Sequence, residues 1–205
     1  MAEGASVEGT TVQDPGTRTV GGIELPAPGD YVIDQAHTVV SFVARHMMVS
    51  KVRGYFREFS GTIHVAEDPL QSWAELAIKA DSVDTGTEMR DNHLRSRDFL
   101  VSEEHPELIF RTVTIEPGEG ARFRAHGELT VAGVTRPLSL DVEYEGAIPD
   151  RSGGTRIAFS ASTEIDREEF GIKWNQALET GGVLVGRKVK IELDVAAVRA
   201  PKESA

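Results

Sequence analysis

Cysteine is missing from all 205 residues, which excludes disulfides, a thiolate nucleophile and a cysteine-ligated metal and leaves the redox compartment unmarked. Long apolar runs are missing too. No stretch approaches the roughly 20 residues that a helix needs to cross a bilayer. The opening segment, MAEGASVEGTTVQDPGTRTVGG, has neither the basic start nor the apolar core of a secretory signal. The expectation is a cytoplasmic protein without a transmembrane segment. Positive charge is in short supply: 22 Lys and Arg against 33 Asp and Glu give a formal net charge of -11 and a pI near 5.0. That balance disfavours nucleic acid or an anionic membrane surface as a partner. No Gly-x-Ser-x-Gly elbow is present, and Phe59-Ser60-Gly61 reads as a turn. GGVLVGRK at 181–188 lacks the spacing of a phosphate-binding loop and reads as a loop entering the last strand.

Alternation of apolar and polar residues is what the chain has in abundance. Leu138, Leu140, Val142 and Tyr144 alternate with Ser139, Asp141, Glu143 and Glu145; Val189, Ile191, Leu193 and Val195 alternate with Lys and acidic neighbours; Phe123, Ala125, Gly127 and Leu129 alternate with Arg122, Arg124, His126 and Glu128. Period 2 places alternate side chains on opposite faces, so each run is a strand with one dry and one wet face. Weaker runs at Leu76, Ile78 and Ala80, at Leu108, Phe110 and Thr112, and at Ile157, Phe159 and Ala161 bring the total to about eight. Turns are expected at 132–135 and 149–154. The predicted fold class is all-β, an antiparallel barrel of about eight strands, because closure removes exposed edges.

The stretch from Val39 to Val65 organises this reading. Val40, Phe42, Ala44 and His46 share one face of a strand; SKVRG, residues 50–54, is expected to turn; a second strand then runs through Tyr55, Phe56, Phe59, Ile63 and Val65. The inward wall by parity also takes in Phe56, Ile78, Phe110, Phe123, Ala125, Leu140 and Phe159. Small inward residues, Ala44, Gly54, Ala80, Ala125, Gly127 and Ala161, either leave an internal space or offset the phenylalanines in a solid core. Periodicity leaves both open.

Two segments break the alternation. Thr87 to Ser96 is predicted to be a short helix, with Thr87 as N-cap and Asp91 and Arg95 at i,i+4. Its basic residues, Arg90, Arg95 and Arg97, are read as surface ion pairs with Glu88, Asp91 and Asp98, or as an anionic head-group site. Residues 166–180 carry Phe170, Trp174 and Leu178 at spacing four, one face of a helical turn or an apolar loop folded across the sheet. Residues 1–27 read as a flexible arm, 28–200 as one domain and 201–205 as a tail. Of six histidines, His64 and His126 fall on wet faces by parity, and none shows metal-ligand helical spacing.

Six segments in order, YVIDQAHTVVSFVARH, VRGYFREFSGTI, RDNHLRSRDFL, HPELIF, HGELTVAGVTRPLSL and DREEFGIKW, resemble the bacterial YceI-like proteins, from Tyr31 to Val198. The resemblance implies a lipocalin-like barrel whose apolar interior holds a polyisoprenoid lipid, such as a quinone or polyprenyl phosphate. It implies binding, carriage or sequestration rather than an enzyme, and no cofactor apart from that lipid. His93 and Trp174 lie in matching segments and join the candidate ligand-binding set. A histidine-dependent metal or haem binder, or an enzyme on the same barrel, is the alternative. A homodimer through strand edges is a further expectation.

Overall fold

The computed structural model describes residues 16–47, 49–151, 154–179 and 181–199. Strands β1 (Thr17–Val20) and β2 (Ile23–Pro26) form a separate hairpin. The main sheet comprises β3 (Gly29–Ile33), β4 (Val39–His46), β5 (Ser50–Phe56), β6 (Phe59–Val65), β7 (Trp73–Lys79) and β8 (Val83–Asp84). After helix α1 (Glu88–Arg95), it continues with β9 (Glu107–Pro117), β10 (Arg122–Val131), β11 (Val134–Pro149), β12 (Thr155–Asp166) and β13 (Val185–Arg199). Every pairing is antiparallel.

Eight strands close into a ring in the order β13-β3-β6-β7-β9-β10-β11-β12, with β12 returning to β13. Closure leaves one edge of β13 with two partners: its last residues pair with β3 and its earlier ones with β4, and β5 and β8 extend the sheet beyond β4. Asp34 makes the jog between β3 and β4 possible. Its carboxylate accepts from Ala36 N at 2.9 Å, capping the turn Gln35–His37, while its own N–H donates to Ala196 O. Arg156 of β12 bridges Asp34 (2.5 Å) and Asp150 (2.8 Å), tying three segments at one corner.

The second half of the 39–65 stretch is two strands rather than one, and SKVRG lies inside β5 instead of turning. The turn sits earlier, at Met47, whose φ of 51° is left-handed. Gly54 is there for a different reason: it pairs with Phe42, and a Cβ on it would lie 2.3 Å from the Phe42 ring. Gly127 does the same under Phe110, with Arg111 O 2.2 Å from a virtual Cβ. Neither glycine opens space; each receives an aromatic edge.

Residues 16–27 do not behave as a loose arm. Leu25, 5% exposed, packs in one cluster with Tyr31, Val65, Tyr144, Ile157 and Ala197, and β1 is fastened by Arg18, whose Nη1 donates to Glu67 O at 2.6 Å. Two four-residue strands are too short to register as alternation, which is why the sequence pattern passes over them. Residues 1–15 of the expected arm and the 201–205 tail lie outside the described residues. Among the described residues no helix is long and apolar enough to cross a membrane.

Candidate functional site

Two apolar chambers occupy the barrel, with cavity volumes of about 160 and 170 Å³. Leu76, Phe110, Leu140 and Leu193 line both, so the chambers abut at a waist made by these four side chains. An apolar cavity of ~150 Å³ stays dry and takes an apolar guest, so each chamber is individually large enough for hydrocarbon. Phe123, Ala125 and Phe159 line the first, beside the β1–β2 hairpin. Val40, Phe42, Ala44, Phe56 and Ile78 line the second, toward α1. The parity reading therefore assembles ten of its candidates on the chamber walls.

Three candidates lie elsewhere. His46 ends β4, between Ser50 and Val185, half-buried and outside the lining of either chamber; parity places it on the inward face, but β13 is bulged opposite it, between Val185 and Val189, and its partner Val185 takes the place on the chamber wall. His93 and Trp174 meet one another instead of the cavity: the rings are edge to face with centroids 4.6 Å apart, and each packs on Phe99, which does line the second chamber. His93 Nε2 also lies 2.8 Å from Asp98 Oδ2. The two form an outer layer over the chamber end.

Helix α1 brings Leu94 to the second chamber, but its polar residues bond differently from the expected ion pairs. Asp91 is buried and accepts from Thr85 N (2.9 Å) and Thr85 Oγ1 (2.5 Å). Arg95 donates instead to Asp81 O and Val83 O, Arg90 to Thr85, and Arg97 pairs with Glu104. Thr87 occupies the N-cap position without a side-chain cap. The loop before the helix leaves backbone groups to be satisfied, and the short Asp91 side chain is placed to do so.

The segment after β12 is a short 3-10 turn (Arg167–Phe170) leading into an irregular strap. Sequence reasoning did not single out Arg167, which holds it. The guanidinium, 4% exposed, donates through Nε to Gly186 O (3.0 Å) and through Nη1 to Ile172 O (2.7 Å) and Trp174 O (2.9 Å). Burial pulls its pKa below the usual arginine value, against the raising influence of Glu168 and Asp166. Asn175 completes the attachment, exchanging hydrogen bonds with the backbone of Val185 at 2.7 and 3.0 Å. Phe170 and Ile172 are thereby held on the chamber wall.

The histidines are dispersed. His37 meets Asp34 and His64 meets Asp30, while His126 lies 2.8 Å from Ser139 Oγ. His105 packs under Gly133. Among the described residues no three His, Asp or Glu side chains gather as a metal site requires.

Comparison with known proteins places this architecture. Residues 31–197 match the YceI-like domain. A UPF0312 protein of Staphylococcus epidermidis is 39% identical over 161 residues, 78% of this chain and 91% of that one; a UPF0312 protein of Staphylococcus aureus is 35% identical over 168 residues, 80% and 94%. Among solved structures, a Campylobacter jejuni YceI protein is similar with a TM-score of 0.66 and 26% identity, covering 77% of this chain and 90% of that one. Burkholderia cenocepacia BcnA gives a TM-score of 0.71 at 22% identity, covering 80% and 98%. A polyisoprenoid-binding domain from Saccharophagus degradans gives 0.62 at 16%, covering 85% and 100%. The last two speak to the fold alone.

Proposed function

We propose, for a chain that belongs to the YceI-like family, that it binds a long-chain polyisoprenoid in the barrel and carries or sequesters it, acting as a binding protein rather than an enzyme. The observation that carries this reading is the pair of apolar chambers meeting at Leu76, Phe110, Leu140 and Leu193. A long, methyl-branched hydrocarbon suits two joined spaces better than a compact ligand does. A structure of the same fold is described as a polyisoprenoid-binding domain, so the fold can enclose a ligand of that class.

Transfer from water gains ~0.8 kcal/mol per buried methylene equivalent. Summed along a long tail this would pass the practical ceiling of roughly 18 to 21 kcal/mol, so ordering of the tail must offset much of it. The balance still favours a carried lipid over one dispersed in water. Solvent extraction of the purified protein, with mass spectrometry of the organic phase, tests the reading. An isoprenoid quinone or polyprenyl phosphate in stoichiometric amount is the expected result. An extract without isoprenoid, together with failure of the stripped protein to bind an added one, overturns it.

A further inference from the structure

Acidic residues are spread through the chain, 33 in 205, yet none occurs from Gln35 to Arg57. The β4–β5 hairpin lies inside this run, and its end, RHMMVSKVR at 45–53, joins three Lys or Arg residues to four apolar ones. At the tip, Met47 is 46% exposed and Val49 84%. Arg45 and Lys51 are direct cross-strand partners, and both are exposed. Like charges in that position repel, and among the described residues neither enters an ion pair.

Carboxylates of the neighbouring elements are engaged elsewhere. Glu192 of β13 is held by Arg53 at 2.5 Å and Lys190 at 2.7 Å, and Asp166 and Glu168 hold Arg187. The strap reaches the tip through Leu184 O, which accepts from Met47 N at 2.8 Å. Between Gly171 and Leu184 it adds Lys173 and Glu179, no net charge. An exposed apolar tip with cations on its shoulders suits an anionic bilayer, whose headgroup layer admits the apolar side chains while its phosphates attract the cations. We infer that the β4–β5 tip docks on an anionic phospholipid surface, with Met47 and Val49 entering the headgroup layer and Arg45 and Lys51 meeting the phosphates.

The net charge of -11 opposes an anionic surface for the chain as a whole. At about 0.1 M ionic strength, however, charges more than about 10 Å from the contact are largely screened, so the tip acts through its own charge. Its position gives docking a consequence. Ala44 on β4 and Val185, the partner of His46, line the second chamber, so a docked tip sets that end of the barrel against the phase into which a hydrocarbon partitions. The inference goes beyond the isoprenoid reading and stands without it, since Arg45, Met47, Val49 and Lys51 lie outside the lining of both chambers.

The test is flotation of the full chain with vesicles of mixed phosphatidylglycerol and phosphatidylcholine, against vesicles of phosphatidylcholine alone. The wild-type chain is expected to float with the anionic vesicles, to favour them over the neutral ones, and to be released as salt rises. Arg45→Gln combined with Lys51→Gln should weaken association about 25-fold, roughly fivefold per cation, and Val49→Ser should weaken it too. Both variants alter exposed side chains and should keep the wild-type melting temperature and the wild-type binding of geranylgeraniol in solution. Equal flotation with both vesicle types, no flotation, or flotation that survives the double substitution overturns the docking. So does a wild-type dimer in light scattering that the double substitution dissolves, because it assigns the tip to a second copy of the chain. A chain that floats but binds no isoprenoid keeps the docking and removes the carrier reading; one that binds isoprenoid but does not float does the reverse.

Discussion

The indole of Trp174 and the imidazole of His93 meet edge to face with ring centroids 4.6 Å apart, although one sits on α1 and the other on the strap after β12. Phe99 touches both, at 5.4 and 5.0 Å, and turns its other side to the second chamber. Three rings from separate inserts therefore close one end of the barrel. The arrangement joins the two segments that interrupt the strand alternation into a single device, with edge-to-face contacts worth ~0.5–1.5 kcal/mol each beyond burial.

Removing the outer ring should loosen this end. Trp174→Ala is expected to cost about 2–4 kcal/mol of stability, and to speed dissociation of a bound isoprenoid more than it slows association. Stopped-flow exchange of a fluorescent isoprenoid checks this. An unchanged off-rate in a folded variant would assign the rings to stability alone.

Ala125 and Gly127 are neighbours on one strand with opposite expectations. Ala125 lines the first chamber, so Ala125→Phe should fill it, reducing isoprenoid binding while far-UV circular dichroism stays native. Gly127→Ala should instead damage the fold, since its Cβ would stand 2.2 Å from Arg111 O. Melting temperatures and binding of the two variants, measured together, separate a blocked cavity from a broken barrel.

Deleting residues 1–27 should lower the melting temperature. Leu25 is buried, and burying a leucine contributes ~1.5–3 kcal/mol, which for a domain this size corresponds to a shift of roughly 4–10 °C. The hairpin also lines the first chamber through Arg18, Leu25 and Pro26. A melting temperature unchanged by the deletion would mean that the hairpin contributes nothing to closing the barrel.

The barrel and most of its wall were legible in the sequence because period 2 is a strong signal where one face is dry. Val40, Phe42 and Ala44 read correctly onto the wall for this reason. His46 marks where the rule stops: it ends β4 opposite a bulge in β13 between Val185 and Val189, and its partner Val185 lines the second chamber in its stead. Gly54 looked like a turn because glycine punctuates chains, and only the tertiary contact with Phe42 explains it inside β5. Arg167, which holds the strap, and the β1–β2 hairpin beside the first chamber were invisible in the pattern. A buried arginine satisfied by carbonyls leaves no sequence pattern, and a four-residue strand leaves little periodicity.

Asp34 supplies a pH dependence with a definite sign. The Arg156 guanidinium holds its carboxyl below the usual carboxylate pKa, helped by His37 and Ala36 N against a smaller opposing effect of burial. A depressed folded-state pKa stabilises above the unfolded value, near 3.9, and that contribution is lost as pH falls through the lower folded value. Urea titrations of wild type and Asp34→Asn should therefore differ by a constant amount from neutral pH to about pH 5, and the difference should shrink as pH falls below about 4, vanishing only below the depressed folded value. A difference that does not shrink at all as pH falls below about 4 would place the contribution of Asp34 in the shape of the turn rather than in its charge.

Arg167 clamps the strap after β12 to the barrel. Its donors satisfy the carbonyls of Ile172, Trp174 and Gly186, and leaving buried acceptors unmet costs ~1–3 kcal/mol each. Arg167→Met fits an unbranched apolar chain into the same space without supplying a donor, so the expected loss is about 3 kcal/mol or more. Hydrogen exchange should accelerate first in residues 171–179, the strap those bonds hold. Isoprenoid binding should weaken with it, because Phe170 and Ile172 of the strap line the second chamber. An isoprenoid affinity unchanged in a folded Arg167→Met variant would mean that the strap braces the barrel without shaping the chamber.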